Sequence, residues 1–258
     1  MSGQPLLGKQ ILITRPIGQS AVFADMIEEA GGVAHVVPLI AFRPFQDEHE
    51  HQYLQLLHTY DWMILTSKNG VDYFFSRLKK AGIDLNSLTN RFAVIGTKTE
   101  EALRQYGYSA EFMPGKFSAD DFAKSIDSGA FSGKKVLIPK GNLARETIAA
   151  ACRKHGIEAD EWIVYETYFP KEEKQRLLSL LTEEKIDVIT FTSPSAVRHF
   201  VQACEEGSYS LPDDRLIACI GPVTEKAAIQ AGMNVRMSPE EYTVHALTKQ
   251  IINYFREE

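Results

Sequence analysis

The side chains best suited to chemistry lie in six short polar turns, each of which follows a short apolar run. The turns are Thr14-Arg15-Pro16-Ile17-Gly18, Thr66-Ser67-Lys68-Asn69-Gly70, Gly96-Thr97-Lys98-Thr99, Pro139-Lys140-Gly141-Asn142, Thr192-Ser193-Pro194-Ser195 and Gly221-Pro222-Val223-Thr224. A helical pattern follows each turn, and the free N–H groups and dipole of a helix N-terminus favour carboxylates and phosphates. The turns therefore predict the binding of a ligand that carries many anionic groups.

Local capping accounts for several of the same residues. Ser67 and Ser193 are suited to be N-caps, and Pro194 suits the first position of a helix. Thr97 with Glu100 fits a capping box. Each turn taken alone is open to this structural explanation, whereas six such turns on two domains could surround a cleft for one polyanion.

Motifs of the common nucleotide, hydrolase and metal sites are missing. No turn carries the glycine-rich dinucleotide fingerprint or the phosphate loop, and no nucleophile elbow is present. The histidines lack metal-binding spacing, and Cys152, Cys204 and Cys219 form no Cys-x-x-Cys pair. We expect no metal, no cofactor and reduced thiols. Such a sequence is typical of an enzyme that mainly holds a reactive substrate in one shape.

Charge and hydropathy exclude two classes of partner. The 258 residues carry a formal net charge of −6, which argues against binding to nucleic acid. No apolar run reaches the roughly 18 residues of a membrane span, and residues 1–8 do not resemble a signal peptide. We therefore expect a soluble, cytoplasmic protein that binds no membrane.

An internal repeat organises the elements that position the turns. The segments that begin at Gly8, Asp61 and Arg91 recur in the same order, at an offset of about 125 residues, as Gly133–Ile138, Asp187–Ser193 and Arg215–Gly221. In both copies, short apolar strands alternate with helical patterns that end at glycine. This alternation predicts an α/β protein with two similar doubly wound parallel-sheet domains.

The sequence indicates the domain boundary less directly than it indicates the strands and helices. The repeat alone indicates a split near residue 130. Two extended stretches that end in proline, Ile40–Pro44 and Trp162–Pro170, occupy equivalent places in the two copies. We expect the connections between the domains to lie there.

Several motifs together resemble those of one enzyme family. They are Ile13-Thr14-Arg15-Pro16, Thr66-Ser67-Lys68-Asn69-Gly70-Val71, Ile95-Gly96-Thr97-Lys98-Thr99, Gly141-Asn142-Leu143-Ala144-Arg145, Val164-Tyr165-Glu166-Thr167, Phe191-Thr192-Ser193-Pro194-Ser195 and Ile220-Gly221-Pro222-Val223-Thr224. Each motif is weak, but the ordered set covers nearly the whole chain and resembles the uroporphyrinogen-III synthases. The sequence departs from that family in places: Lys68 and Lys98 stand at variable loop positions, and Ala196 stands where glycine is frequent.

The resemblance implies a particular architecture. Residues 1–40 and 170–258 would form one discontinuous domain, and residues 44–164 would form a second domain inserted in it. Two short extended connections would join the domains, with the substrate cleft between them. The resemblance also implies a monomer that makes only transient contact with the preceding enzyme of its pathway.

The reaction implied by the resemblance is a cyclising hydro-lyase step in tetrapyrrole (haem) biosynthesis. Hydroxymethylbilane, a linear tetrapyrrole with eight carboxylates, would close to uroporphyrinogen III with inversion of its last ring. Tyr165 would be the catalytic residue, placed at the joint between the domains with its ring towards the cleft. Substrate binding would fall to Arg15, Ser67, Asn69, Gly70, Thr97, Thr99, Lys140, Gly141, Asn142, Arg145, Thr192, Ser193, Ser195, Gly221 and Thr224.

Two other functions stay open at this point. Two similar α/β domains that flank a cleft also describe ligand receptors of the periplasmic type, although the missing signal peptide favours a cytoplasmic sensor within that class. A nucleotide-dependent transferase is the weaker alternative, because no phosphate loop is present.

Overall fold

The computed structural model describes residues 4–183, 185–212 and 214–257. The strands are β1 (Gln10–Ile13), β2 (Val33–Val36), β3 (Ala41–Pro44), β4 (Trp62–Leu65), β5 (Arg91–Val94), β6 (Lys135–Gly141), β7 (Glu158–Tyr168), β8 (Val188–Phe191), β9 (Leu216–Cys219) and β10 (Val235–Met237). The α-helices are α1 (Ala21–Glu29), α2 (Glu50–Gln55), α3 (Lys68–Lys80), α4 (Thr97–Arg104), α5 (Ala119–Asp127), α6 (Thr147–Lys154), α7 (Lys171–Glu183), α8 (Pro194–Glu206), α9 (Pro222–Gln230) and α10 (Val244–Glu257).

The strands form two five-stranded sheets. One sheet has the order β10-β9-β8-β1-β2, and the other has the order β3-β7-β6-β4-β5. The ladders of β1 with β2 and β8, of β8 with β9 and of β4 with β5 and β6 are all parallel. Successive residues of β4 enter two different apolar clusters, because side chains alternate between the faces of a strand: Met63 packs on one face and Ile64 on the other. The prediction of doubly wound α/β sheets is confirmed.

The two sheets share one strand order. A strand from the first copy of the repeat in one sheet corresponds to a strand from the second copy in the other sheet. β9-β8-β1-β2 of the first sheet corresponds, position by position, to β5-β4-β6-β7 of the second. In each sheet, two of these strands come from the first copy of the repeat and two from the second. β6 lies after residue 130 and yet pairs with β4, so a boundary near residue 130 does not separate the units.

The chain forms two compact units, Met1–Ala41 with Tyr168–Glu258 and Phe42–Thr167. The first change of unit falls within β3, and the second falls at the end of β7. Much of the extended stretch at residues 162–170, where a connection was expected, belongs to β7, which runs to Tyr168. β7 remains paired with β6 as far as the partners Gly141 and Tyr165.

Two of the predicted helix caps are formed, and one predicted cap is wrong. Ser67 and Ser193 cap α3 and α8 as predicted, because their Oγ atoms accept the N–H of Gly70 at 3.0 Å and of Ala196 at 3.2 Å. The capping box at Thr97 is wrong, since Gly96 is the N-cap of α4 and Thr97 already lies inside the helix. Within the described ranges, no helix is long and apolar enough to cross a membrane.

Candidate functional site

The strand order places the six predicted polar turns in two groups of three, with one group in each unit. In the unit that contains β4, two turns follow the neighbouring strands β4 and β5, whereas the third predicted turn is mostly strand, since β6 runs to Gly141 and only Asn142 follows it; in the other unit the turns follow β9, β8 and β1. The carboxyl ends of parallel strands meet at one edge of their sheet, which is where open α/β sheets bind ligands. Each unit therefore presents three donor-bearing segments at one edge.

Threonine hydroxyls lock two of these turns to each other in the first unit. Thr14 Oγ1 donates to the carbonyl oxygen of Thr190 at 2.7 Å, and Thr190 Oγ1 donates to the carbonyl of Leu12 at 2.9 Å. Both threonines are fully buried. They fix the turn that contains Arg15 beside the turn that contains Thr192. The sequence reasoning missed Thr190, whose partners are more than 170 residues away.

Arg15 is a cation at this edge. Its Nη2 donates to Gln19 Oε1 at 3.2 Å, while its Nε is buried and has no hydrogen-bond partner among the residues that the structure describes. Partial burial lowers the pKa of the Arg15 guanidinium below its ordinary value, yet an arginine remains charged at neutral pH. A half-buried cation with an unsatisfied donor is suited to an anionic ligand.

In the second unit, Tyr165 and Ser67 are neighbours. Ser67 follows β4, and its Oγ lies 3.4 Å from the hydroxyl oxygen of Tyr165, which is part of β7. The Tyr165 ring is only 9% exposed and belongs to the apolar core of this unit. Tyr165 lies close to the change of unit after Thr167, as predicted, but long-range packing buries its ring in the core of its unit.

Three neighbours determine the position of the Tyr165 ring. The ring of Tyr73 stacks on it at a centroid distance of 5.2 Å, and the ring of Phe42 meets it edge-on at 5.9 Å. Gly141 lies directly against a third side of the ring, which only a glycine permits, because a Cβ there would lie 2.5 Å from Tyr165 Cζ. Burial raises the pKa of Tyr165 above its ordinary value, so its hydroxyl is protonated at neutral pH and can donate a hydrogen bond.

Two side chains at the carboxyl end of β6 are held by partners in the same unit. Asn142 Oδ1 accepts the backbone N–H of Thr167 at 2.9 Å, and Asn142 Nδ2 donates to the carbonyl oxygen of Thr167 at 3.4 Å. Lys140 is only 6% exposed, and its Nζ donates to Glu161 Oε1 at 2.5 Å. Both predicted binding side chains thus have partners within the unit.

Arg145 differs from these two residues, because it is exposed and pairs with the exposed Asp120 at 3.1 Å. Such surface ion pairs contribute little to stability, so the guanidinium can exchange partners readily.

The remaining predicted residues divide by exposure. Thr97 is exposed, and Ser67, Asn69, Thr192, Ser193 and Ser195 are half-buried, whereas Gly70, Gly141, Gly221, Thr99 and Thr224 are buried. Ser195 Oγ accepts a hydrogen bond from Arg198 at 2.8 Å. A helix N-terminus directly adjoins the turns after β4, β5, β8 and β9, whereas α6 begins only at Thr147, several residues after β6.

Two aromatic side chains at the same edges were missed from the sequence. Phe117 lies over Gly96, and Tyr242 lies over Gly221, the glycines that begin α4 and α9. Both rings are largely exposed. Their 125-residue separation, equal to the repeat offset, is the signal that could have found them.

A metal site and one larger cavity are the other features to consider. Among the described residues, no group of three or more His, Cys, Asp or Glu side chains could hold a metal ion. A cavity of about 430 Å³ in the first unit is lined by Arg215, Cys204 and Met233, beyond the amino end of β9. It contains none of the turn residues.

Two doubly wound sheets with helix N-termini and a half-buried arginine at their carboxyl edges define an α/β protein suited to an anionic ligand. A family model described as uroporphyrinogen-III synthase HemD matches residues 21–249. The chain therefore belongs to the uroporphyrinogen-III synthase family.

Similar proteins support this membership over the whole chain. The uroporphyrinogen-III synthase of Chlorobaculum parvum is 31% identical over 246 residues, which cover 94% of this chain and 98% of that protein. The porphyrin biosynthesis protein HemD of Ruminiclostridium josui is 28% identical over 252 residues, 96% of this chain but 49% of its own length. This chain thus spans about half of that relative.

A solved structure supports the fold. A mutant uroporphyrinogen III synthase from the extremely thermophilic bacterium Thermus thermophilus superimposes with a TM-score of 0.70 at 15% identity, over 97% of this chain and 100% of that one. At this level of identity the likeness is evidence for the fold alone.

Proposed function

We propose that this protein is a uroporphyrinogen-III synthase, which cyclises hydroxymethylbilane to uroporphyrinogen III and inverts the last pyrrole ring. The family match over residues 21–249 carries the proposal. The carboxyl-edge turns are its structural counterpart, because the substrate has eight carboxylates distributed along four rings. We class the enzyme as a lyase, since the reaction removes one molecule of water.

The proposed reaction needs shape control more than strong chemical groups. The terminal hydroxyl takes up a proton and leaves as water, which produces an azafulvene cation. The substituted carbon of the far pyrrole attacks this cation and forms a spiro intermediate; fragmentation and closure the other way round then invert that ring. Unaided closure gives the unrearranged I isomer, so the protein must hold the substrate in the conformation that leads to rearrangement. No electron carrier is required, because the oxidation level does not change.

Carboxylate binding falls to the helix N-termini. The first N–H groups of α3, α4, α8 and α9 lie at the carboxyl edges of the two sheets. Arg15 adds one charged donor with a free Nε, and Arg145 adds another by exchanging Asp120 for substrate. We assign Lys140 a positioning role, since its ammonium group pairs with Glu161.

Tyr165 serves as a hydrogen-bond donor in this proposal. Its raised pKa keeps the phenol protonated, and its hydroxyl reaches the Ser67 turn at 3.4 Å. The buried ring limits direct contact with the leaving hydroxyl, and we therefore assign it a modest contribution. Ser67 is the side chain through which it orients the turn.

We place the protein in the cytoplasm as a monomer. Support comes from Cys152, Cys204 and Cys219, which are unpaired and buried, as is usual in a reducing compartment. Because the proposed substrate closes spontaneously in water, we also propose a transient contact with the enzyme that supplies it.

Product analysis tests the proposal. Freshly generated hydroxymethylbilane is incubated with and without the protein, and the I and III isomers are separated after oxidation to porphyrins. We expect the III isomer to predominate only with the protein, in the presence of a chelator. A ligand receptor would leave the isomer ratio unchanged, which would refute the proposed activity.

A further inference from the structure

Two exposed aromatic rings lie directly beside the anion-binding turns. Phe117 is 59% exposed and Tyr242 is 63% exposed. A Cβ at Gly96 would lie 3.1 Å from Phe117 Cβ, and a Cβ at Gly221 would lie 2.7 Å from Tyr242 Cδ1. Each ring therefore leans on the glycine that begins a helix, next to the free N–H groups of that helix.

The same local frame presents both rings. Ser118 and Thr243, the residues after the aromatics, cap the following helices, since their hydroxyl oxygens accept the N–H of Asp121 and Ala246 at 3.1 Å. In both copies a proline stands three residues before the ring.

The residues between proline and ring have diverged completely. They are Gly115-Lys116 in one copy and Glu240-Glu241 in the other. Exposed residues without a role drift as these two positions have, whereas the aromatic character is retained in both copies.

Further exposed apolar side chains occupy the same edges. Ile17 lies two residues after Arg15, Leu143 follows Asn142, and Val223 lies in the turn after β9; all three are more than half exposed. Single exposed apolar residues are common, but apolar side chains grouped beside polar donors are typical of ligand sites.

We propose that Phe117 and Tyr242 are substrate-positioning residues that contact the faces of pyrrole rings, while the neighbouring helix N-termini bind the carboxylates of those rings. The inference rests on the proposed function. Each pyrrole of the substrate combines a flat face with two carboxylate side chains, and an aromatic ring beside a helix N-terminus complements both parts.

Control of the ring faces has a consequence for the product. Hydrogen-bond donors that contact only the carboxylates would hold the substrate at the edges of its rings. Each pyrrole would then remain free to rotate about the carbon atoms that join it to its neighbours. A flat aromatic neighbour restricts that rotation, and the orientation of the end rings decides which carbon attacks. The azafulvene cation would also be attracted to an aromatic face.

Paired substitutions separate this role from a structural one. In Phe117→Leu/Tyr242→Leu, each leucine still covers its glycine but offers no flat face. In Phe117→Trp/Tyr242→Trp, the flat face is kept. Ile229→Ala is the matched control, because Ile229 is a 56% exposed apolar residue near the far end of α9 from its turn.

The readouts are KM, kcat, the fraction of III isomer and thermal melting. For the leucine pair, we expect KM to rise roughly 3–10-fold, as for the loss of one or two aromatic contacts. The III fraction should fall, whereas the tryptophan pair and the Ile229→Ala control should resemble the wild type.

Two results would overturn the inference. One is a leucine pair with wild-type KM and isomer fraction; the other is a leucine pair that loses activity only in proportion to its loss of folded protein and is not rescued by tryptophan. A wild-type protein that produces no III isomer would instead refute the proposed function, and this inference would fall with it.

Discussion

Gly141→Ala tests how closely the end of β6 is fitted to Tyr165. An added Cβ would lie 2.5 Å from Tyr165 Cζ, 2.7 Å from its Cε2 and 2.8 Å from its hydroxyl oxygen. Carbon atoms pack best at about 3.5–4.0 Å, so the ring must move by roughly 1 Å. Tyr73 and Phe42 occupy other sides of the ring, and such a movement would disturb its contact with Ser67.

The expected loss of stability follows from two opposing terms. Overpacking of a core costs about 1–3 kcal/mol, while replacing a glycine lowers the entropy of the unfolded chain and offsets about 0.4–1 kcal/mol. We expect a net loss of about 1–2 kcal/mol, which corresponds to a fall in melting temperature of about 2–8 °C. Turnover should fall as in Tyr165→Phe, because both changes disturb the same hydroxyl.

The assay is thermal unfolding of a double-mutant cycle. Tyr165→Leu removes the ring, so the combined Gly141→Ala/Tyr165→Leu variant should lose less stability than the sum of the two single losses. Gly115→Ala is the control, because a Cβ at Gly115 has open space around it. Strictly additive losses, or a Gly141→Ala protein as stable as the Gly115→Ala control, would refute the packing argument.

Three further outcomes follow from the site and its supports. Tyr165→Phe should lower single-turnover rate by about 10-fold or less, the low end for acid assistance, with product affinity nearly unchanged; a wild-type rate would remove the assigned donor role. Arg15→Gln should raise KM with little change in kcat, since it removes ground-state and transition-state binding alike; an unchanged KM in steady-state kinetics would contradict the assignment. The pKa of Asp61 is lowered because its carboxylate accepts the N–H groups of Lys135 and Lys134, so its contribution to stability is present above the unfolded pKa and is lost as pH falls through the folded value. Urea unfolding of Asp61→Asn and wild type should therefore converge as pH falls below about 4, and a constant difference down to about pH 2 would contradict this.

Local sequence patterns predicted the elements and two of the caps. Strand and helix alternation depends on side-chain periodicity within about ten residues, and a serine cap depends on an N–H three residues away. Ser67 and Ser193 were therefore predictable. Thr97 was not, because Gly96 and Thr97 compete for the same cap and the local sequence does not decide between them.

The fine structure of the site depends on distant partners. The buried position of Tyr165 arises from Tyr73, Phe42 and Gly141, and the pairing of Lys140 arises from Glu161 on the neighbouring strand. No periodicity in a single segment reports such contacts. Each sheet combines strands from both copies of the repeat. This pairing depends on tertiary contacts and could not be predicted from the repeat alone.

Multiple turnover is the most direct measurement of the central claim that the chain is a uroporphyrinogen-III synthase. Hydroxymethylbilane in large molar excess over the protein is followed to completion, and the amount of III isomer is divided by the amount of protein. We predict many molecules of III isomer per molecule of protein, with an initial rate proportional to protein concentration. A yield of III isomer that never exceeds one equivalent of protein, or a product mixture identical to that of the unaided reaction, would contradict the account.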